Sequence, residues 1–163
     1  MAGVEEGFGF EFADDHRAML GAVLPTGPGW PDWRSDDRDT LLGLLAQPVD
    51  GVLFDVVEND FWHESRGERP SDDDAAVERA EAHLTTAPRM IPVFFHRCLP
   101  AGRGTFGNPV FSLHQTDVVH YGFDLLDYVA NEFHVRTPDR PRRHPAPIPF
   151  WDDLVHGGPG TTR

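Results

Sequence analysis

The sequence has no lysine, one cysteine and two tyrosines, and none of its apolar runs approaches 20 residues. A single cysteine, Cys98, cannot form an internal disulfide or supply a cysteine-rich zinc site. Such short apolar runs are not expected to span a membrane, which takes about 20 consecutive apolar residues. The first twelve residues carry three glutamates and no basic residue, unlike a secretory signal. Together these absences predict a cytoplasmic protein.

Positive charge is also scarce, because 14 arginines face 27 acidic residues and the formal net charge is -13. Residues 1–135 hold nine arginines and 24 acidic residues, whereas 136–144 hold four arginines and one aspartate. A charge this negative repels nucleic acid and anionic lipid and favours a basic partner. Ordinary solubility explains the acidic surplus equally well. We therefore expect neither nucleic acid nor a membrane as partner.

The chain contains enough apolar material for one folded domain, with 39% hydrophobic residues that include 12 Phe and 4 Trp. Helical periodicity and capping residues predict helices at 13–23, 35–46, 71–86 and 123–133. Runs rich in β-branched and aromatic residues predict strands at 51–57, 89–99, 110–114 and 117–121. The last two strands are either joined by a turn at 115–116 or continuous as one bent strand. Because helices and strands do not alternate regularly, the predicted class is α+β.

The C-terminal part differs in composition from the rest of the chain. Residues 136–149 contain five prolines and four arginines, a pattern typical of extended chain outside a packed core. We therefore predict a domain at 1–135 and a partly extended or disordered tail at 136–163. The apolar residues of 150–154 either dock onto the domain or remain free.

Two groups of residues raise the question of catalysis. His114, Asp117 and His120 are of the types that bind zinc, and they support the hypothesis of a metal-dependent enzyme. In one continuous strand, however, 114 and 120 share a face and 117 points away, so exposed sheet residues are the favoured interpretation. Cys98, with His96 two positions before it, is a candidate thiolate, although a lone cysteine at the end of a strand is more typically a core residue.

The three glycines of 102–107 lack the strand-to-helix setting and the lysine of a phosphate loop, and they favour an ordinary turn. We predict no catalytic residue, no metal and no cofactor. Aromatic residues in glycine- and proline-rich loops are more distinctive, namely Trp30 with Trp33 and Phe61 with Trp62. Such side chains either fill the core, which is the favoured interpretation, or anchor a partner.

Four blocks occur in order along the chain: GPGWPDWR (27–34), VDGVLFDVVENDFW (49–62), APRMIPVFFHRCLP (87–100) and GNPVFSLHQTDVVHYGFDLLDYVANEF (107–133). Together they resemble the bacterial Smi/Knr-like proteins of the SUKH superfamily, over roughly residues 10–135. Arg66 stands where these proteins usually have a second tryptophan, and Cys98 where they often have a tyrosine. Both differences could alter a ligand pocket, and neither affects the predicted fold.

The resemblance implies an α+β fold with helices packed around a mixed, twisted sheet. It also implies a non-catalytic immunity protein that binds and neutralises a toxin domain, in many cases a nuclease. The acidic surface would cap a basic toxin, with charge speeding association and buried aromatic contacts setting the lifetime. The expected contact residues are Trp30, Trp33, Asp36, Asp37, Asp60, Trp62 and Asp117. The alternative is a regulatory or scaffold protein that binds an endogenous partner.

Overall fold

The computed structural model describes residues 1–137 and 146–157. Its helices are α1 (Ala2–Phe8), α2 (Asp14–Ala22), α3 (Arg38–Glu58), α4 (Asp73–Leu84), α5 (Leu125–Phe133) and α6 (Trp151–Val155), with a single 3-10 turn at Glu64–Arg66. Its strands are β1 (Met90–Phe94), β2 (Arg97–Pro100), β3 (Val110–His114) and β4 (Asp117–Gly122). The α+β class predicted from the sequence is confirmed.

The four strands form one antiparallel sheet in the order β1-β2-β3-β4. The mixed sheet that the resemblance implied is therefore wrong for the described strands. Two residues join β1 to β2 and two join β3 to β4, and connections this short permit only antiparallel pairing. Phe95 and Gln115 occupy these turns with positive φ, as tight hairpins require.

The largest difference from the sequence prediction lies at 51–57, which was expected to be a strand and forms the second half of α3. The helix predicted at 35–46 is the first half of the same 21-residue helix. Asp37 caps it by accepting a hydrogen bond from the Thr40 N–H at 3.1 Å. The β-branched run is helical because packing overrides local propensity. One face of α3 buries Leu41, Leu45, Pro48, Val52 and Val56.

In the described part of the chain, α3 is the one helix whose length and mean hydropathy of 1.5 would suffice to cross a membrane, judged by length and composition only. In the fold it contacts α4, β1 and β3, and its buried face belongs to the core. The sequence showed no long apolar run here because Asp39, Asp50 and Asp55 interrupt it.

The strand predicted at 89–99 is two strands, β1 and β2, which form a hairpin with its turn at 95–96. Pro92 lies in β1 at the edge of the sheet, and the pairing has a bulge between Pro92 and Phe94. Both features are typical of a proline in a strand, because proline lacks the N–H that continuous pairing requires. The remaining predicted elements correspond to α2, α4, β3, β4 and α5.

Helices pack on both faces of the sheet. On one face α3, α4 and α6 enclose a cluster that includes Val56, Ala80, Phe111, Val118 and Trp151. On the other face α5 packs in a cluster of Val93, Leu99, Val110, Leu125 and Tyr128. A third cluster joins the N-terminal segment to α2, α3 and β1 and contains Phe10, Phe12, Leu20, Trp33, Leu41, Leu45 and Ile91.

The C-terminal segment 146–157 is part of the fold. Its buried residues are Ile148, Phe150, Trp151 and Leu154. The Trp151 indole N–H donates to the Pro88 carbonyl at 2.8 Å. Of the two possibilities for 150–154, the structure therefore shows docking, and Ile148 corrects the expectation that 136–149 stays outside the core. Most of the Arg/Pro-rich stretch, 138–145, lies outside the described residues, as does 158–163.

Candidate functional site

An open, apolar groove of about 710 Å³ lies between α2 and α5. Its walls include six apolar side chains that are each 39% to 56% exposed: Val23, Leu24, Phe106, Leu126, Phe133 and Val135. Soluble proteins rarely expose large contiguous apolar surfaces unless these bind something. This groove is therefore the candidate site.

Helix α5 supplies one wall because it is apolar on two faces. Leu125 and Tyr128 point into the sheet cluster and are buried. Leu126 and Phe133 line the groove and remain exposed. One apolar face is sufficient for a helix that packs against the protein on a single side. The second face of α5 is therefore available for binding.

Trp30 lines the groove and stacks on Phe133, with ring centroids 5.5 Å apart and ring planes at 17°. Phe94 of β1 contacts both rings, at 4.8 and 5.6 Å. The loop that carries Trp30 is fixed to the sheet, because the Phe95 N–H donates to the Gly29 carbonyl at 2.7 Å. Gly29 has φ +91, and a Cβ at this position would collide with the Phe95 ring. These contacts of the loop position Trp30 in the wall.

The glycine-rich turn at 102–107 carries Phe106 into the groove and is anchored by α2. The Asp14 carboxylate accepts a hydrogen bond from the Gly104 N–H at 3.0 Å. The Asp15 carboxylate accepts one from the Gly107 N–H at 2.9 Å. Backbone N–H groups that already bind carboxylates are not positioned to cradle a phosphate. The sequence interpretation of this segment as an ordinary turn agrees with this geometry.

The charged residues that line the groove, in the part of the chain described, are both acidic: Asp15 and Asp124. His16 follows Asp15 but is fully buried beside Phe12, with ring centroids 4.9 Å apart. Burial lowers the pKa of His16 to about 3, so its ring is neutral at pH 7 and does not offset the two carboxylates. The groove therefore joins an apolar wall to negative charge.

Of the seven contact residues predicted from the sequence, Trp30 alone lines this groove. Trp33 is buried in the N-terminal core cluster, with its ring 5.3 Å from Phe12 and 5.8 Å from Phe10. It fills the core, which is the interpretation that the sequence favoured for these aromatic side chains. Trp62 is half-buried, and its indole N–H donates to the Gly67 carbonyl at 2.7 Å, so its polar atom is used within its own loop.

The four predicted aspartates do not form one surface. Asp36 and Asp37 precede α3, whereas Asp60 follows its last residue by two positions. A 21-residue helix is about 30 Å long, so these carboxylates lie at opposite ends of the molecule's longest helix. Asp60 lies 3.9 Å from the Arg69 guanidinium. Asp117 begins β4 and lines a separate cavity of about 540 Å³ near the end of α3.

The geometry also bears on the catalytic hypotheses. The His120 side chain contacts the carboxylate of Asp152 in α6, with 2.7 Å between Nε2 and Oδ1. His114 and Asp117 are opposite each other in the backbone pairing of β3 and β4. No group of three or more potential ligands in the described residues is arranged to hold a metal ion. Cys98 is buried, and burial raises the pKa of its thiol to about 12, which opposes formation of a nucleophilic thiolate.

A cluster of polar side chains outside the groove connects the 3-10 turn to α4 and α6. The Arg66 Nε–H donates to His83 Nδ1 at 3.1 Å. Because Nδ1 accepts, the neutral His83 ring carries its proton on Nε2. This nitrogen lies 3.3 Å from the Ser65 hydroxyl oxygen. That hydroxyl lies 2.6 Å from His63 Nδ1, and His63 Nε2 faces the Asp153 carboxylate at 3.5 Å. Burial lowers the pKa of both histidines. The cluster thus connects a buried guanidinium with an exposed carboxylate of α6.

Sequence reasoning missed most residues of the groove. Val23, Phe106 and Leu126 come from segments that are far apart in the chain, and no motif joins them. One signal was present, since Leu125, Leu126, Tyr128, Val129 and Phe133 give α5 more apolar positions than one buried face can hold. That excess indicates a second apolar face.

Comparison of the chain with models of known protein families gave no match, and neither the curated proteins nor the solved structures gave a significant one. The resemblance to the SUKH superfamily therefore rests on the four sequence blocks and stays a prediction.

Proposed function

We propose that this protein is a non-catalytic binding domain that takes an apolar segment of a basic protein partner into the groove between α2 and α5. The observation that carries the proposal is the groove itself, a cavity of about 710 Å³ with exposed apolar walls and only acidic charged residues in its lining, among the described residues. Exposure of such an apolar surface to water is unfavourable, and the free energy falls when a partner covers it.

The charge distribution supports a basic partner. Residues 50–81 contain eleven acidic residues and three arginines, a formal charge of -8. These residues lie on α3, α4 and the loop between them, and none of them lines the groove. A field of this sign attracts a basic protein over a distance of about one Debye length, roughly 8 Å at physiological ionic strength. Charge would then speed the encounter, while the groove would determine how long the complex lasts.

The resemblance suggests which partner to test first. A toxin domain neutralised by stoichiometric occlusion would be basic and would need no chemistry from this protein. The same groove would equally serve an endogenous partner, as the regulatory or scaffold hypothesis requires. A cytoplasmic location, also predicted from the sequence, is compatible with both.

The test is affinity capture from a bacterial lysate with three baits: the wild-type protein, Leu126→Arg and Ala75→Arg. Both variants add one positive charge at an exposed position, but only Leu126 lines the groove. We expect a basic protein that wild type and Ala75→Arg retain and Leu126→Arg loses. Equal retention by all three baits would exclude the groove as the binding site.

The captured domain is then expressed alone in cells. If it is toxic, and co-expression of this protein rescues growth while Leu126→Arg does not, the immunity function is supported. If the domain is harmless, the partner is endogenous and the regulatory hypothesis replaces it.

A further inference from the structure

The elements that line the groove restrict the backbone conformation of its occupant. The lining comes from α2, α5 and the loops beside them, and none of the four strands takes part. An extended peptide that binds by adding to a sheet needs the free N–H and C=O groups of a strand edge. The groove offers no such edge among the described residues, and its walls are apolar. An extended segment would therefore bury backbone polar groups without partners, at a cost of about 1–3 kcal/mol for each.

An α-helix avoids this cost because its backbone hydrogen bonds are internal. It can also present apolar side chains at i, i+3 or i+4, and i+7 to one groove. Helices α2 and α5 have nine residues each, which corresponds to about 13 Å of length. An occupant of roughly 10–14 residues would match the length of these two walls.

We infer that the groove between α2 and α5 binds one amphipathic α-helix of the partner, with an apolar stripe against Trp30, Leu126 and Phe133 and with arginine or lysine near Asp15 and Asp124. The inference rests on the proposed function and names the conformation and pattern of the bound segment. The acidic residues act through their charge, which favours basic side chains beside the stripe.

The test uses a library of random 16-residue peptides displayed on phage. Phage that bind the wild-type protein are kept, and those that also bind Leu126→Arg are removed. The matched variant Ala75→Arg should retain the same peptides as wild type. We expect enriched peptides with apolar residues at spacings of three and four and with flanking arginine or lysine. Synthetic versions gain helical circular dichroism on binding, and a proline at their centre weakens binding at least tenfold, because proline breaks the helix.

Two other outcomes separate this inference from the proposed function. Groove-dependent peptides with alternating apolar residues or proline-rich sequences, and without induced helicity, would overturn the helical occupant while the groove remains a protein-binding site. A library that yields no peptide sensitive to Leu126→Arg would overturn both.

Discussion

The carboxylate of Asp55, buried on α3, accepts hydrogen bonds from both the backbone N–H and the hydroxyl of Thr116 in the β3–β4 turn, the first at 2.9 Å. The side-chain amide of Asn59 donates to the other carboxylate oxygen at 2.6 Å. One acidic side chain thus binds the end of the longest helix to the tip of a hairpin. Its position explains why an aspartate interrupts the apolar run of α3.

Replacement of Asp55 by alanine removes the acceptor of both Thr116 donors. We expect a loss of about 2–4 kcal/mol in the free energy of unfolding, because two partly buried donors of Thr116 are left without their acceptor. Urea denaturation measures the change. The control is Asp50→Ala, an exposed aspartate of the same helix, which should change stability by less than about 0.5 kcal/mol. Equal effects of the two variants would contradict the role assigned to Asp55.

Two glycines of α3 should respond oppositely to alanine. Gly43 has open space where a Cβ would lie, and Gly43→Ala should stabilise the helix by about 0.5–1 kcal/mol. A Cβ on Gly51 would lie 3.0 Å from the Cα of Gln115 in the hairpin turn. We expect Gly51→Ala to be at least about 1 kcal/mol less stable than Gly43→Ala, because the close contact displaces the turn. Thermal unfolding compares the pair, and identical midpoints would argue against this helix–turn contact.

Neighbouring leucines of α5 distinguish core from groove. Leu125 is 4% exposed and Leu126 is 56% exposed. Leu125→Ala should cost about 2–4 kcal/mol through the cavity it leaves, whereas Leu126→Ala should stay within about 0.5 kcal/mol. Denaturant unfolding of the two variants decides the orientation of the helix. A larger loss for Leu126→Ala would place the groove wall in the core instead.

Stability should fall with acidification because of His16. The pKa of this buried ring is about 3 in the fold and about 6.5 in an unfolded chain, so the unfolded state takes up the proton first. The contribution of the neutral ring is complete above pH 6.5 and is lost as the pH falls towards 3, by roughly 3–5 kcal/mol in total. The variant His16→Leu should show a flatter profile in urea titrations between pH 7 and pH 4. A profile parallel to that of wild type would contradict the burial of this ring.

The C-terminal helix should contribute strongly to stability. Trp151 is buried and hydrogen-bonded to the Pro88 carbonyl, so Trp151→Ala should cost about 3–5 kcal/mol. Asp153→Ala, two positions further on the same helix, removes an exposed side chain and should cost less than about 1 kcal/mol. Calorimetry of both variants tests whether α6 belongs to the cooperative unit. A shift in melting temperature as small for Trp151→Ala as for Asp153→Ala would show that it does not.

The sequence predicted elements well where local signals and packing agree. The helix predicted at 71–86 is α4, and its first turn is fixed locally, because Asp72 caps it by accepting from the Ala75 N–H at 2.9 Å. The turn at 115–116 was one of two possibilities for the 110–121 segment, and it is the observed one. In both cases the deciding interactions lie within a few residues of each other.

The prediction failed where a distant contact decides the structure. At 51–57 the β-branched composition indicated a strand, yet Leu41, Leu45, Val52 and Val56 recur at helical spacings, and this periodicity was the better guide. The site was harder to predict, because exposed and buried leucines look alike in sequence. Only the packing of α5 on the sheet distinguishes Leu126 from Leu125.

The docking of α6 means that the C-terminal segment is held by noncovalent packing as well as by its covalent connection to α5. Ile148, Phe150, Trp151 and Leu154 are buried by contacts that do not depend on an unbroken chain. A fragment ending at residue 137 and a peptide spanning 146–157 are therefore two parts of one core. Supplied separately, they would reassociate by fragment complementation, and the stability of the domain would become dependent on their concentration.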